Sequence, residues 1–204
     1  FISNRVKRKK YLGKYVPEII GSSNNMYVYK EVKGEVFSKN PTIKNFAYFL
    51  DWMDSFWVKK KLSPVKEKIF HKENLAFYKD KTYKRVKQYF ERFEQIDTKE
   101  IINGLETPKL FNLLEQVDWS YLSKENPFAF HGDLHFENIL INDSNTQPFT
   151  LLDWRQDYGG NLEYGDIYYD FAKLNHGLII SHELINKNHF IVRHRLSSID
   201  FDFY

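Results

Sequence analysis

Two short stretches hold residue types that together can bind a hard cation and move a proton. The first is His131-Gly132-Asp133-Leu134-His135-Phe136-Glu137-Asn138, and the second is Leu151-Leu152-Asp153-Trp154. Between them, Asn138-Ile139-Leu140-Ile141 and Phe149-Thr150-Leu151-Leu152 read as strands separated by Asn142 to Pro148, a polar turn-forming stretch. Such a hairpin starts at Asn138 and ends at Asp153, so its pairing draws Asp133, Asn138 and Asp153 to one edge. Two carboxylates and an amide oxygen suit magnesium, which keeps several waters and takes phosphate oxygens readily. A carboxylate left off the metal can accept the proton of an attacking hydroxyl. These are the minimal parts for phosphoryl transfer, where positioning and charge neutralisation supply most of the catalysis.

Two other readings compete. Asp and Asn favour turns and caps, so the three residues can be ordinary loop chemistry; their joint spacing with a second acidic motif downstream argues against that. His131, Asp133 and His135 can also be taken as ligands of a hydrolytic zinc or manganese centre. That centre needs further ligands, and His71, His176, His182, His189 and His194 fall in no second ligand motif. His135, inside the loop, is open to a phosphate or acceptor contact or to simple packing.

The elements that must position this loop follow from periodicity. Arg5 to Leu12 ends a basic helix at Gly13. Glu18 to Gly21 and Met26 to Val32 read as a hairpin around Ser22 to Asn25. Phe46, Phe49, Leu50, Met53, Phe56 and Trp57 recur at helical spacing and predict one apolar face. Ser63-Pro64 opens a helical stretch reaching Phe93, and Thr107-Pro108 opens another. The aromatic stripe Val86, Tyr89, Phe90 and Phe93 is expected in the core. Asp166 is expected to cap an apolar helix through about Ile185, and Phe190 to Tyr204 reads as strand.

With His131-Gly132 ahead of it, Asp133-x4-Asn138 resembles the HGDxxxxN signature of aminoglycoside phosphotransferases and choline kinases. Gly165-Asp166-Ile167-Tyr168-Tyr169-Asp170-Phe171-Ala172 is similar to their GDxxxDLA-type helix start. Three motifs in the right order carry the resemblance, well over 128–175 and loosely over 15–38. It implies an α+β, protein-kinase-like fold: a mostly helical C-terminal catalytic lobe at 39–204 with an embedded β-hairpin, preceded by a remnant of the β-rich N-terminal lobe with hinge at 1–38. It implies Asp133 as catalytic base, Asn138 and Asp153 as magnesium ligands, and His131 as a brace of the loop. Asp166 and Asp170 would pin that loop from the helix below. Glu31, Val32 and Lys33 would offer backbone contacts to the adenine of ATP. Trp154 stands where protein kinases carry the Phe of DFG, and no peptide-docking segment fits between Asp153 and Gly165. Both departures point to the small-molecule branch. The family's glycine-rich loop and ATP-anchoring lysine are expected ahead of residue 1.

The function so implied is transfer of the γ-phosphate of ATP, with Mg2+, to a hydroxyl of an amino alcohol such as choline, a sugar or an aminoglycoside. The alternative is a non-catalytic binding module on a degenerate kinase scaffold. Composition excludes other classes. The chain of 204 residues has no cysteine, so disulfides and thiolate metal sites are out. Net charge is only +3, with lysines alternating with glutamates, which argues against a nucleic-acid partner. No segment reaches the roughly 18 apolar residues of a membrane span, and the default expectation is cytoplasmic.

Overall fold

The computed structural model describes residues 1–195 and 198–204. Helix α1 (Ile2–Leu12) stops at Gly13, whose φ of 56° is left-handed and whose N–H returns to the Lys9 carbonyl. Strands β1 (Ile19–Ser22) and β2 (Tyr27–Tyr29) form the expected hairpin, closed by Ser23 N–H on the Met26 carbonyl at 2.8 Å. β3 (Glu35–Val36) leads to α2 (Ile43–Asp54), where Thr42 Oγ1 accepts from Asn45 N–H at 3.1 Å as N-cap. α3 (Pro64–Leu75) starts on its proline. It passes through a π-helical turn at Ala76–Asp80 into α4 (Lys81–Arg92).

A hairpin follows, β4 (Glu100–Ile102) and β5 (Leu105–Thr107), then α5 (Leu110–Glu115) and α6 (Trp119–Leu122). β6 (Pro127–Phe128), β7 (Ile139–Ile141), β8 (Phe149–Leu151) and β9 (Gly165–Asp166) precede α7 (Ile167–Ile179), α8 (His182–Asn186), β10 (Phe190–His194) and β11 (Ile199–Phe203). The result is the mixed α+β class expected, with sheets β1-β2, β3-β7-β8, β6-β9 and β10-β11-β4-β5.

Two boundaries and one helix face differ from expectation. The helix expected from Thr107-Pro108 begins at Leu110, because Thr107 is spent in β5 and the Asp97 carboxylate accepts the Leu110 and Phe111 N–H groups at 2.7 and 3.0 Å. The helix after Asp166 ends at Ile179 rather than near Ile185. Ser181 takes the Leu184 N–H on its hydroxyl at 3.2 Å and starts a new helix instead. The stripe on α4 is not core: Tyr89 is 53% and Phe93 55% exposed.

The chain divides into two compact units, 1–70 with 125–180 and 71–124 with 181–204. In the first, Phe49 and Met53 of α2, with Phe56 just beyond it, bury against Leu134, Phe136, Ile139, Phe149, Leu151, Trp154 and Leu174, as the spacing predicts. In the second, the Asn103 side chain ties β4 to β11 by donating to the Phe201 carbonyl and accepting its N–H. Tyr89, Phe93, Ile96, Leu110 and Leu113 line an open apolar groove there. A unit this small encloses few side chains completely. Among the described residues no helix is long and apolar enough to cross a membrane.

Candidate active site

The hairpin that the sequence predicts is present and sets the site. Ile139 pairs with Leu151 and Ile141 with Phe149. At the open end, Leu152 N–H reaches the Asn138 carbonyl at 2.8 Å, so Asp153 follows directly on the residue paired with Asn138. Asn138 is mostly buried and donates from Nδ2 to the Asp133 carbonyl at 2.8 Å. Its amide nitrogen also faces His135 Nε2 at 3.2 Å, so its oxygen is turned away from the loop that these bonds hold. Asp153 has φ of 51°, a left-handed conformation unusual for a non-glycine residue and typical of functional sites. Its carboxylate is more than half exposed and pairs with Arg5 of α1.

Asp133 is held from two sides. Lys173 of α7 places Nζ 2.9 Å from Oδ1, and His135 Nε2 lies 3.7 Å from Oδ2, an ion-pair distance rather than a hydrogen bond. Burial pushes this carboxyl up, but His135 and Lys173 more than offset it and keep it below the usual carboxylate range. Asp133 therefore stays ionised at any physiological pH. The pull is mutual: Asp133 raises the His135 pKa against burial, with Glu137, 2.9 Å from Nδ1, adding to it.

His131 is fully buried. Its Nδ1 accepts the Asp133 N–H at 3.3 Å, which braces the loop from within. Burial, with Arg8 nearby, lowers its pKa to about 3, so it is a neutral imidazole. Fully buried and with Nδ1 on the Asp133 N–H, it forms no group of metal-ligating atoms with Asp133 and His135 among the described residues, which counts against the hydrolytic-centre reading.

Asp166 and Asp170 separate in role. Asp166 caps α7, accepting the Tyr168 N–H at 3.0 Å. Asp170, one turn later and fully buried, accepts the His131 N–H at 2.8 Å on Oδ2 and the Gly132 N–H at 2.7 Å on Oδ1. Trp57 Nε1 adds a third donor at 3.2 Å. Asp170 thus holds the loop directly. Burial nevertheless raises its pKa to about 6, against those three donors and Arg8.

Gly132 has φ of 88°, and a Cβ there would meet Arg155 Cβ at 2.7 Å and the Phe130 ring at 2.9 Å. Gly132→Ala is expected to cost about 3 kcal/mol from backbone strain and overpacking together. Urea denaturation would show it as a lower midpoint with unchanged slope; a shift below a third of that would mean the loop relaxes freely.

Glu31, Val32 and Lys33 lie in the irregular segment between β2 and β3. Glu35 then pairs with Ile141 and Val36 with Leu140, so the segment enters the sheet that carries the Asn138 hairpin. Val32 and Lys33 line a cleft of about 550 Å³ with Lys9, Lys14 and Asn142. The structure thus joins Asp133, Asn138, His131 and Asp170 by direct bonds, ties Asp153 in through strand pairing, and leads the segment of Glu31 to Lys33 into the same sheet.

Three participants escaped sequence reading. Arg5 holds Asp153 and donates to Tyr27 Oη at 3.2 Å. Arg8, fully buried, donates to the carbonyls of Leu162 at 3.0 Å, His131 at 3.3 Å, Phe130 at 2.6 Å, and Arg155. Burial lowers the Arg8 pKa to about 9, with Asp170 and Asp157 pulling the other way. Lys173 is the third; its spacing of three from Asp170 on one helix face was the available signal. For Arg5 and Arg8 a basic helix offered none.

No curated protein and no solved structure matches the chain. The family model described as the phosphotransferase enzyme family matches residues 74–179, just over half of the chain and the whole of the Asp133, Asn138, Asp153 and Asp170 set, and the chain belongs to that family.

Proposed function

We propose that this protein transfers the γ-phosphate of ATP to a hydroxyl of a small molecule, on a protein-kinase-like fold and with Mg2+. The observation that carries it is the bond from Asn138 Nδ2 to the Asp133 carbonyl, with Asp153 brought alongside by the hairpin. That bond, with the contact of the same nitrogen to His135, turns the amide nitrogen to the loop and leaves its oxygen for a cation. The donor set fits magnesium: one amide oxygen and one exposed carboxylate, both hard, on a site rigid enough to hold them. Asn138 and Asp153 would hold the ion, which when bound neutralises charge on the phosphate oxygens. Asp133, ionised and fixed from both sides, orients the acceptor hydroxyl and accepts its proton. His131 and Asp170 keep the backbone of that base in place. Backbone groups of Glu31, Val32 and Lys33 would contact the adenine.

Asp133→Asn in the full-length protein keeps shape and removes the base, and should cut turnover roughly a hundred- to ten-thousand-fold. Unchanged turnover by coupled assay would sink the reading. One observation favours a second reading, a non-catalytic binding module: Arg5 is paired with Asp153, the carboxylate that a catalytic site needs for metal. Nucleotide binding without Mg2+-dependent ATP hydrolysis would decide for it.

A further inference from the structure

Lys173 belongs to no motif, yet its ammonium is the group nearest to the proposed base. It leaves α7 on the face that carries Asp170, and its Nζ lies 2.9 Å from Asp133 Oδ1. The side chains of both partners are 32% exposed, so the pair stands at the surface of the site, where an acceptor must arrive. The other charged groups around Asp133 are His135, 3.7 Å from Oδ2, and Glu137, bound to the far nitrogen of His135. We propose that Lys173 is a positioning residue for Asp133 and sets the acceptor class: a hydroxyl of a neutral or anionic polyol, with no ammonium beside the reacting carbon. This rests on the phosphotransferase reading.

The argument is geometric. A hydroxyl that gives its proton to Asp133 must come within about 3 Å of a carboxylate oxygen. Lys173 occupies one of those oxygens with a single N–H and has two more to offer. The hydroxyl oxygen therefore arrives within reach of the same ammonium, which holds it as well as the base. A second ammonium on the neighbouring carbon of the acceptor would come within a few ångströms of Lys173 and be repelled. Sugars and polyols meet no such cost; amino alcohols do.

The test uses the full-length protein, ATP and acceptor pairs in which one hydroxyl is replaced by an ammonium: glucose with glucosamine, and propane-1,2-diol with 1-amino-2-propanol. The expected result is a kcat/KM for the neutral member roughly tenfold or more above its amine. Lys173→Arg should keep that preference, and Lys173→Glu should erase or invert it. Preference for the amines, or a preference that survives Lys173→Glu, overturns the inference. Water serves as an acceptor whatever the natural one is. In ATP hydrolysis, Lys173→Met should lower kcat at least tenfold with KM for ATP unchanged, and an unchanged kcat also overturns it. Failure of the underlying reading has a different signature: hydrolysis that is absent, or indifferent to Asp133→Asn.

Discussion

Replacing Arg8 by methionine is expected to destabilise the protein by about 3 kcal/mol and lower its melting temperature by roughly 6–12 °C. The guanidinium serves four carbonyls, those of Leu162, His131, Phe130 and Arg155, and lies 4.0 Å from the centroid of the Phe130 ring. Methionine fills a similar volume but donates nothing, so these acceptors lose their partner in a dry environment. Against this stands the cost of burying a cation, visible in the lowered Arg8 pKa, which the variant escapes. Four acceptors outweigh one desolvated charge, because each charge-assisted bond contributes roughly 1.5–3 kcal/mol. Arg8→Lys should recover less than half, since one ammonium cannot span the same fork. Calorimetry checks it, and a methionine variant melting within about 2 °C of wild type would show that these carbonyls find other partners. Activity should fall further than stability alone predicts, because two of the carbonyls belong to Phe130 and His131 at the root of the proposed catalytic loop.

What was legible in the sequence is what rests on local chemistry. The hairpin between Asn138 and Asp153 was readable because apolar runs flank a polar turn, and Asp133-x4-Asn138 because both residues lie in one short loop that runs into its first strand. The apolar face of α2 was readable because its period matches the helix. The hairpin of β4 and β5 was readable too but overlooked: Asn103-Gly104, with φ of 50° and 78°, is a two-residue turn between short apolar-polar strands. The π-helical turn at Ala76–Asp80 was not legible, since nothing in a continuous helical pattern marks one extra residue per turn. The exposure of Tyr89 and Phe93 was not legible either, because periodicity says that a face is apolar and not whether anything covers it. Arg8 bonds to residues 122 or more positions away, which a single sequence does not show, whereas Lys173 reaches 40 positions to Asp133 and only its helix face shared with Asp170 hinted at it.

Asp170→Asn should combine a stability loss of about 3 kcal/mol with a drop in turnover of a hundredfold or so, and its pH dependence identifies the cause. The wild-type carboxylate accepts N–H groups from His131, Gly132 and Trp57. An asparagine turns one acceptor into a donor facing a donor, and the loop must move. The pH signature follows from linkage. Asp170 in the fold titrates near 6 against an ordinary 3.8, so between these values the native state binds a proton that the unfolded chain releases. That contribution stabilises the fold as pH falls and is lost as pH rises toward 6. His131 acts oppositely: its pKa drops from 6.5 to about 3, so the unfolded chain takes up the proton and stability falls with pH across that range. Each slope is about 1.4 kcal/mol per pH unit, so over the shared window the two offset each other in wild type. Asp170→Asn removes one and leaves the other. The variant should therefore lose about 1.4 kcal/mol per unit from pH 6 down to 4 relative to wild type, measured by urea denaturation at each pH. Parallel curves for the two proteins would mean that Asp170 is already ionised throughout that range, and that its three donors, not burial, set its titration.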